Sequence, residues 1–310
     1  MTERPIADIP KDVKYELAEV KKMLHYVNVW FLPFRWGTNT YRGCEHDCIY
    51  CNARYTHEYL GLSTGDFAQR IVVKSNAAIV LDKEFSREKW DRKLTVNLAT
   101  VTDPYQPAES LYKITRATLD TFLRHHNALM LTTKSDLVLR DLDKLAEIAQ
   151  TGFINVVITL PTLNEDLRNR IEPKAPTVER RLRTIQKLHQ SGITVGVAAI
   201  PLLPHISDNE KDVEALIKTL AETGADYVIA DLLNFRGEAR ARFTKFLAGH
   251  DPSLMPEYEK LYRETYCDKT YTKRIRGQTN RLIKEYKVDN YHRMFSYRKG
   301  QKSQSKKSLN

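Results

Sequence analysis

Cys44, Cys48 and Cys51 stand in the run Tyr41-Arg42-Gly43-Cys44-Glu45-His46-Asp47-Cys48-Ile49-Tyr50-Cys51, and the only other cysteine, Cys267, is far away in sequence. Thiolates are soft ligands that select iron–sulfur clusters, zinc or copper(I). A 4Fe–4S cluster ordinarily takes four cysteines. Three would leave one iron open to bind a small molecule and act on it. Other readings of the trio are buried small hydrophobes or a structural zinc with His46 or His57 as fourth ligand. Structural zinc usually draws on two separated C-x2-C halves, and a second half is missing from this sequence. The start, Met1-Thr2-Glu3-Arg4-Pro5, has no apolar targeting core, so the thiols are expected to stay reduced in a cytoplasmic protein.

An aromatic residue, Tyr50, directly precedes the third cysteine. In this the run resembles the C-x3-C-x2-C signature of the radical S-adenosylmethionine (radical-SAM) superfamily. The resemblance implies one 4Fe–4S cluster on Cys44, Cys48 and Cys51, whose open iron chelates the amino and carboxylate groups of S-adenosylmethionine. One electron would cleave the sulfonium bond to methionine and a 5′-deoxyadenosyl radical, which takes a hydrogen atom from a substrate. It also implies an electron donor of the flavodoxin or ferredoxin kind. The cofactor carries the hard chemistry, and the protein aims and shields it.

Residues that work on such a cofactor need elements to hold them. Short β-branched runs alternate with longer amphipathic stretches, which predicts βα units around a parallel sheet. Strands are expected at Thr38 to Gly43, Leu94 to Leu98, Ala128 to Thr132, Ile154 to Thr159, Ile193 to Ile200 and Tyr227 to Asp231. Helical spacing runs from Leu111 to His125, Leu139 to Ala149, Val178 to Leu188 and Val213 to Ala221. Gly152, Gly192 and Gly224 are placed as helix C-terminal caps, and Ser207 or Asp208 as an N-cap. Six units are too few for a closed eight-fold barrel. The expected fold is α/β, a partial (β/α)6 barrel with a helical C-terminal extension, which is also what the resemblance implies.

In parallel βα architecture the working residues sit at the C-terminal ends of strands. Those ends carry Thr102-Asp103-Pro104-Tyr105-Gln106-Pro107-Ala108-Glu109, Thr133-Lys134-Ser135 and Thr159. Together with Arg170-Ile171-Glu172-Pro173 and Ala53 to Gly61, these runs look like the spore-photolyase-related branch of the superfamily. The similarity covers roughly 35–231. It implies that Lys134 meets the carboxylate of S-adenosylmethionine, as a charge-assisted hydrogen bond. It further implies that Thr159 contacts the ligand, that Thr102 and Asp103 lie near its amino group, and that Tyr50 packs on the adenine. A turn cap before Pro104 is the other reading of Asp103. The chain also departs from the branch. Spore photolyase passes a hydrogen atom through a cysteine beside the second strand and a tyrosine after the third cluster cysteine. Here Asn52 follows Cys51, and no cysteine lies between Leu94 and Asp103. Thymine-dimer splitting by that route is not expected. Glu45, His46 and Asp47 are read as a solvated loop, Cys267 as inert, and His57, His205 and Glu109 as minor acid–base candidates.

The 310 residues carry a formal net charge of +10, are 42% hydrophobic and 28% charged. No apolar run approaches the ~20 residues of a membrane span, so no membrane partner is expected. The basic excess leans toward Lys269 to Arg276 and the C-terminal tail, an electrostatic footprint that fits nucleic acid or a solvated face. The chain divides into an N-terminal extension (1–35), a barrel core (36–235), a helical C-terminal region (236–295) and a disordered basic tail (296–310). The leading expectation is a radical-SAM enzyme of unidentified, nucleic-acid-leaning substrate. The alternative is a non-catalytic, zinc-stabilised nucleic-acid-binding protein.

Overall fold

The computed structural model describes residues 12–29 and 32–290. The expected disordered tail lies outside the described residues. The strands are β1 (Lys14–Ala18), β2 (His25–Tyr26), β3 (Trp36–Thr38), β4 (Tyr41–Arg42), β5 (Arg70–Lys74), β6 (Val96–Leu98), β7 (Leu129–Thr133), β8 (Ile154–Thr159), β9 (Thr194–Leu202), β10 (Tyr227–Leu232) and β11 (Asp289–Asn290). The helices are α1 (Ala77–Phe85), α2 (Ala108–Tyr112), α3 (Ile114–His125), α4 (Leu142–Thr151), α5 (Glu165–Ile171), α6 (Val178–Gln190), α7 (Glu210–Thr223), α8 (Glu238–His250), α9 (Met255–Leu261) and α10 (Lys269–Glu285).

The main sheet has the open order β2-β3-β6-β7-β8-β9-β10-β11. Seven strands from β3 to β11 run parallel, and β2 is antiparallel to β3. A parallel sheet is covered on both faces, and β8, near its middle, is buried at all six residues. The period of two decides what each face carries. Leu129, Leu131, Val156, Ile158, Val195 and Val197 join the main core with the helices. Met130, Val157 and Tyr227 pack in a separate inner cluster closed by Phe34 from the N-terminal segment. Gly196 belongs to that inner face. A Cβ there would lie 2.1 Å from the Tyr227 ring, so only glycine admits the tyrosine. The alternation that aims Met130 and Val157 inward also aims Lys134 and Thr159 inward, at the open end of the sheet.

The structure adjusts several sequence expectations. The strand expected at Thr38 to Gly43 is not continuous: Thr38 is the last residue of β3, which begins at Trp36 and pairs with β6, whereas Tyr41–Arg42 leaves to pair with β5 in a separate β1-β5-β4 sheet. The helix expected from Leu111 to His125 breaks at Lys113 (φ 51°). There the Glu109 carboxylate accepts from Thr115 N at 2.8 Å and Arg116 N at 3.1 Å, satisfying the free donors of α3. Gly192 and Gly224 take left-handed backbone (φ 73° and 96°), whereas Gly152 caps α4 in extended backbone, its N–H donating to Ile148 O at 2.9 Å. The N-cap of α7 is Asn209, whose Oδ1 accepts from Asp212 N at 3.0 Å. Asp208 instead accepts from His205 N and Tyr271 OH, and Ser207 Oγ accepts from Leu203 N. No described helix is long and apolar enough to cross a membrane.

Candidate active site

A cavity of about 320 Å³ opens at the C-terminal ends of the parallel strands. Cys44, Cys48, Tyr50, Cys51, Thr102, Asp103, Lys134 and Thr159 all line it. The structure thus gathers these eight residues, although they are spread over more than a hundred positions.

The cysteine loop is fixed from beneath. Gly43 has φ +85°, and a Cβ there would press on the Arg70 and Phe67 carbonyls at 2.8 and 2.9 Å. Its carbonyl accepts from Thr102 Oγ1 at 2.5 Å and Gln106 Nε2 at 3.2 Å. Cys44 N donates to Phe67 O at 3.0 Å and Ile49 N to Ile171 O at 3.0 Å. Asn39 accepts from Thr100 N and Val101 N, which pins the loop after β6. The reading of residues 45–47 as a solvated loop is corrected: Glu45 and His46 are buried. Glu45 accepts from Tyr15 OH and Ala108 N, and His46 Nε2 sits 3.2 Å from Asp103 Oδ2.

Asp103 is a knot rather than a free carboxylate. Oδ1 accepts from Tyr105 N (2.9 Å) and Thr133 Oγ1 (2.6 Å), and Oδ2 from Lys134 N (2.8 Å). The first of these is the turn cap that the sequence offered as its second reading. Burial alone would raise the Asp103 carboxyl, but His46 and the donors outweigh it and hold the group at about 2. Thr102 is likewise engaged, donating to Gly43 O and accepting from Gln106.

Lys134 reaches the cavity from the end of β7, its Nζ 5.8 Å from the Tyr50 ring centre and 3.8 Å from Glu172 Oε1. Glu172 also accepts from Tyr50 OH and meets Arg181 at 2.5 Å. Arg181 in turn donates to the Thr159 and Pro176 carbonyls, both at 3.0 Å. The Glu172–Arg181 pair therefore ties Tyr50, Lys134 and the end of β8 into one buried unit. Sequence reasoning quoted Glu172 without a role and passed over Arg181. Burial of a charged residue on an amphipathic helix leaves no local signal. Burial pulls the Lys134 ammonium down, but the facing Cys48 and Glu172 outweigh it and leave it raised. Two cations against one carboxylate leave this unit net positive, suited to an anionic ligand group.

Burial lifts the Cys48 thiol to about 12 and drives Cys44 upward as well, so metal binding there must displace protons. Among the described residues, no three Cys, His, Asp or Glu side chains converge as a single metal ion requires. A four-iron cube takes each thiolate at a separate corner and does not impose that convergence. The donor set, three thiols around one cavity beside a lysine, fits an iron–sulfur cluster with a carboxylate-bearing ligand. Of the two histidines offered as a fourth zinc ligand, His46 lines the cavity but faces Asp103, and His57 contacts Arg70 O at 2.9 Å away from the cavity lining. Cys267 is buried beside Tyr262 outside the cavity lining. Glu109 serves Tyr41, Arg140 and α3, and His205 packs on Tyr271. None of the minor acid–base candidates lines the cavity.

The sequence model of the Radical SAM superfamily matches residues 38–220, and the chain belongs to that superfamily. An uncharacterized protein of Mycobacterium tuberculosis is 37% identical over 268 residues, which cover 86% of this chain and 78% of that one. A spore photoproduct lyase variant with bound AdoMet and dinucleoside spore photoproduct shares the fold: TM-score 0.64 at 16% identity, over 88% of this chain and 78% of that one. Streptococcus suis SuiB bound to precursor peptide SuiA superposes at TM-score 0.51 and 13% identity, over 90% and 48%. The six-unit parallel architecture expected from the sequence is thus the radical-SAM fold.

Proposed function

We propose that the protein is an enzyme that cleaves S-adenosylmethionine reductively and abstracts a hydrogen atom from a further substrate. The single observation that carries this is the convergence of Cys44, Cys48, Cys51 and Lys134 on one cavity. Cys44, Cys48 and Cys51 would hold a 4Fe–4S cluster. When bound, the cluster supplies the electron that breaks the sulfonium bond to methionine and a 5′-deoxyadenosyl radical. Lys134 binds the carboxylate of S-adenosylmethionine. Tyr50, held by Glu172, packs beside the adenine. Thr159 and the backbone around Thr102 complete the pocket, and Asp103 keeps the loops in register. Asn52 argues against the spore photoproduct lyase hydrogen relay. Its amide bonds Asn234 Oδ1 at 2.5 Å and accepts from Arg236 N at 3.3 Å. The only thiols on the cavity wall are the three loop cysteines.

We favour nucleic acid as the substrate class. The Lys269–Glu285 helix offers part of the basic surface, though Arg276 and Arg281 are paired with Asp231 and Glu210. A second basic region flanks the cysteine loop. Arg42 lies 6.0 Å from the ring of Tyr59, which is 71% exposed. Arg42 has no carboxylate within ion-pair distance among the described residues, whereas burial and Arg42 pull the Lys74 ammonium down to about 8. An exposed aromatic beside a cation suits a stacked base. The test is anaerobic reconstitution with iron and sulfide, reduction, and measurement of 5′-deoxyadenosine with and without DNA or RNA. Iron uptake with 5′-deoxyadenosine release supports the reading. A colourless protein with one zinc and no iron defeats it. Nucleic acid that leaves turnover unchanged removes that substrate class.

A further inference from the structure

Behind the cysteine loop, two cations share one carboxylate. Asp47 lies between Cys44 and Cys48, in left-handed backbone (φ 52°), and lines the cavity. Its Oδ1 accepts from Arg54 Nη2 and, at 3.0 Å, from Arg242 Nη2. Arg54 is 1% exposed and also donates to Cys48 O at 3.4 Å. Its Nε and Nη1, and Nε of Arg242, are buried without an acceptor among the described residues. The Arg54 guanidinium lies 5.5 Å from the Phe67 ring centre, and Phe67 is part of the cavity wall. The group therefore holds one positive charge in excess against the back of the cysteine loop.

That arrangement is costly for packing alone. A buried guanidinium with idle donors forfeits hydration that a single shared carboxylate does not restore. An apolar side chain would fill the same volume without the penalty. The excess charge is explained if the loop carries an anion. This argument rests on the reading above that Cys44, Cys48 and Cys51 bind an iron–sulfur cluster. Three thiolates outweigh the positive charge of the resting cube core, so the cluster is anionic, and more so once reduced. Net charge and surrounding polarity set such potentials, and a fixed cation in low dielectric stabilises the more negative form.

We propose that the Arg54–Asp47–Arg242 triad raises the reduction potential of the cluster, placing it within reach of a cellular one-electron donor. Arg242 belongs to α8 and lies 195 positions from Asp47, so the C-terminal helices take part in the electron-accepting step. The three are positioning residues: they act on the cluster through its field and do not touch the substrate.

The test is a potentiometric titration followed by electron paramagnetic resonance on the full chain after anaerobic reconstitution, with iron and sulfide measured on each sample. Asp47→Asn removes the negative charge yet keeps an acceptor, and Asn tolerates the positive φ. Arg242→Gln removes a cation whose side chain is 29% exposed, and Arg54→Gln removes the buried one. The expected shifts are upward for Asp47→Asn, downward for Arg242→Gln and further downward for Arg54→Gln, with Arg242→Lys unchanged. A triad that merely staples the loop predicts shifts of one sign or none, and either result overturns the proposal. Should Arg54→Gln fail to fold, the opposed signs of Asp47→Asn and Arg242→Gln still decide. A wild-type chain that takes up no iron overturns the cluster reading itself, an outcome distinct from a loaded cluster whose potential ignores these charges.

Discussion

Arg181 meets Glu172 at 2.5 Å with neither side chain exposed to solvent. Removing one partner of such a pair strands the other in low dielectric. Arg181→Met is expected to destabilise the fold by about 3–5 kcal/mol. Chemical denaturation checks this, and a midpoint equal to wild type would show that Glu172 does not depend on Arg181.

Lys134→Ala should weaken S-adenosylmethionine binding while leaving iron content intact. A charge-assisted hydrogen bond contributes about 1.5–3 kcal/mol, so the loss should be on the order of ten- to a hundredfold. Equilibrium binding to the reconstituted protein measures it, and unchanged affinity removes Lys134 from the site.

The cysteines divide in a way that iron analysis can read. Alanine at Cys44, Cys48 or Cys51 should abolish iron uptake. Cys267→Ser should keep it, because that thiol packs in the main core away from the cavity wall. Iron loss in Cys267→Ser would place a fourth ligand where the present reading has none.

Gly43→Ala puts a methyl group 2.8 Å from a backbone oxygen at φ +85°. A strained residue of this kind costs about 1–3 kcal/mol. The expected result is a folded protein with a lower melting temperature and reduced iron retention. A variant that melts and loads iron like wild type would show that the loop has room to shift.

Asp103 links the charge of the site to pH. Its carboxyl is held at about 2 against an ordinary 3.8, a difference of about 2 kcal/mol. A depressed folded value means the stabilisation is complete above about 4 and fades as pH falls toward 2. Asp103→Asn should therefore be less stable than wild type at neutral pH, with the two curves approaching each other near pH 2. Acid-unfolding curves that differ equally at every pH would contradict this.

What the sequence revealed follows from where the physics is local. Ile154–Thr159 was legible because a central parallel strand, buried on both faces, reads as a β-branched run, interrupted here only by Asn155. Lys134 and Thr159 followed from the rule that sites gather at strand ends, helped by the superfamily resemblance. The two-residue pieces β2 and β11 had no pattern long enough to read. The break at Lys113 depended on Glu109 turning back to cap α3, a contact made only after folding. His46 was expected in a solvated loop, and Arg54 and Arg181 carried no assigned role, because nothing nearby in sequence announces the carboxylates that meet them. Asp103 was the instructive middle case: its place was foreseen, but both of its oxygens proved committed to donors within the chain.

The pairing of Asp289–Asn290 with Tyr227 and Val228 has a consequence for solubility. Without that short strand, the outer edge of β10 would present unpaired amide and carbonyl groups, a template on which another chain can add. A chain shortened before Asp289 is therefore expected to self-associate, even with every residue of the cavity still in place.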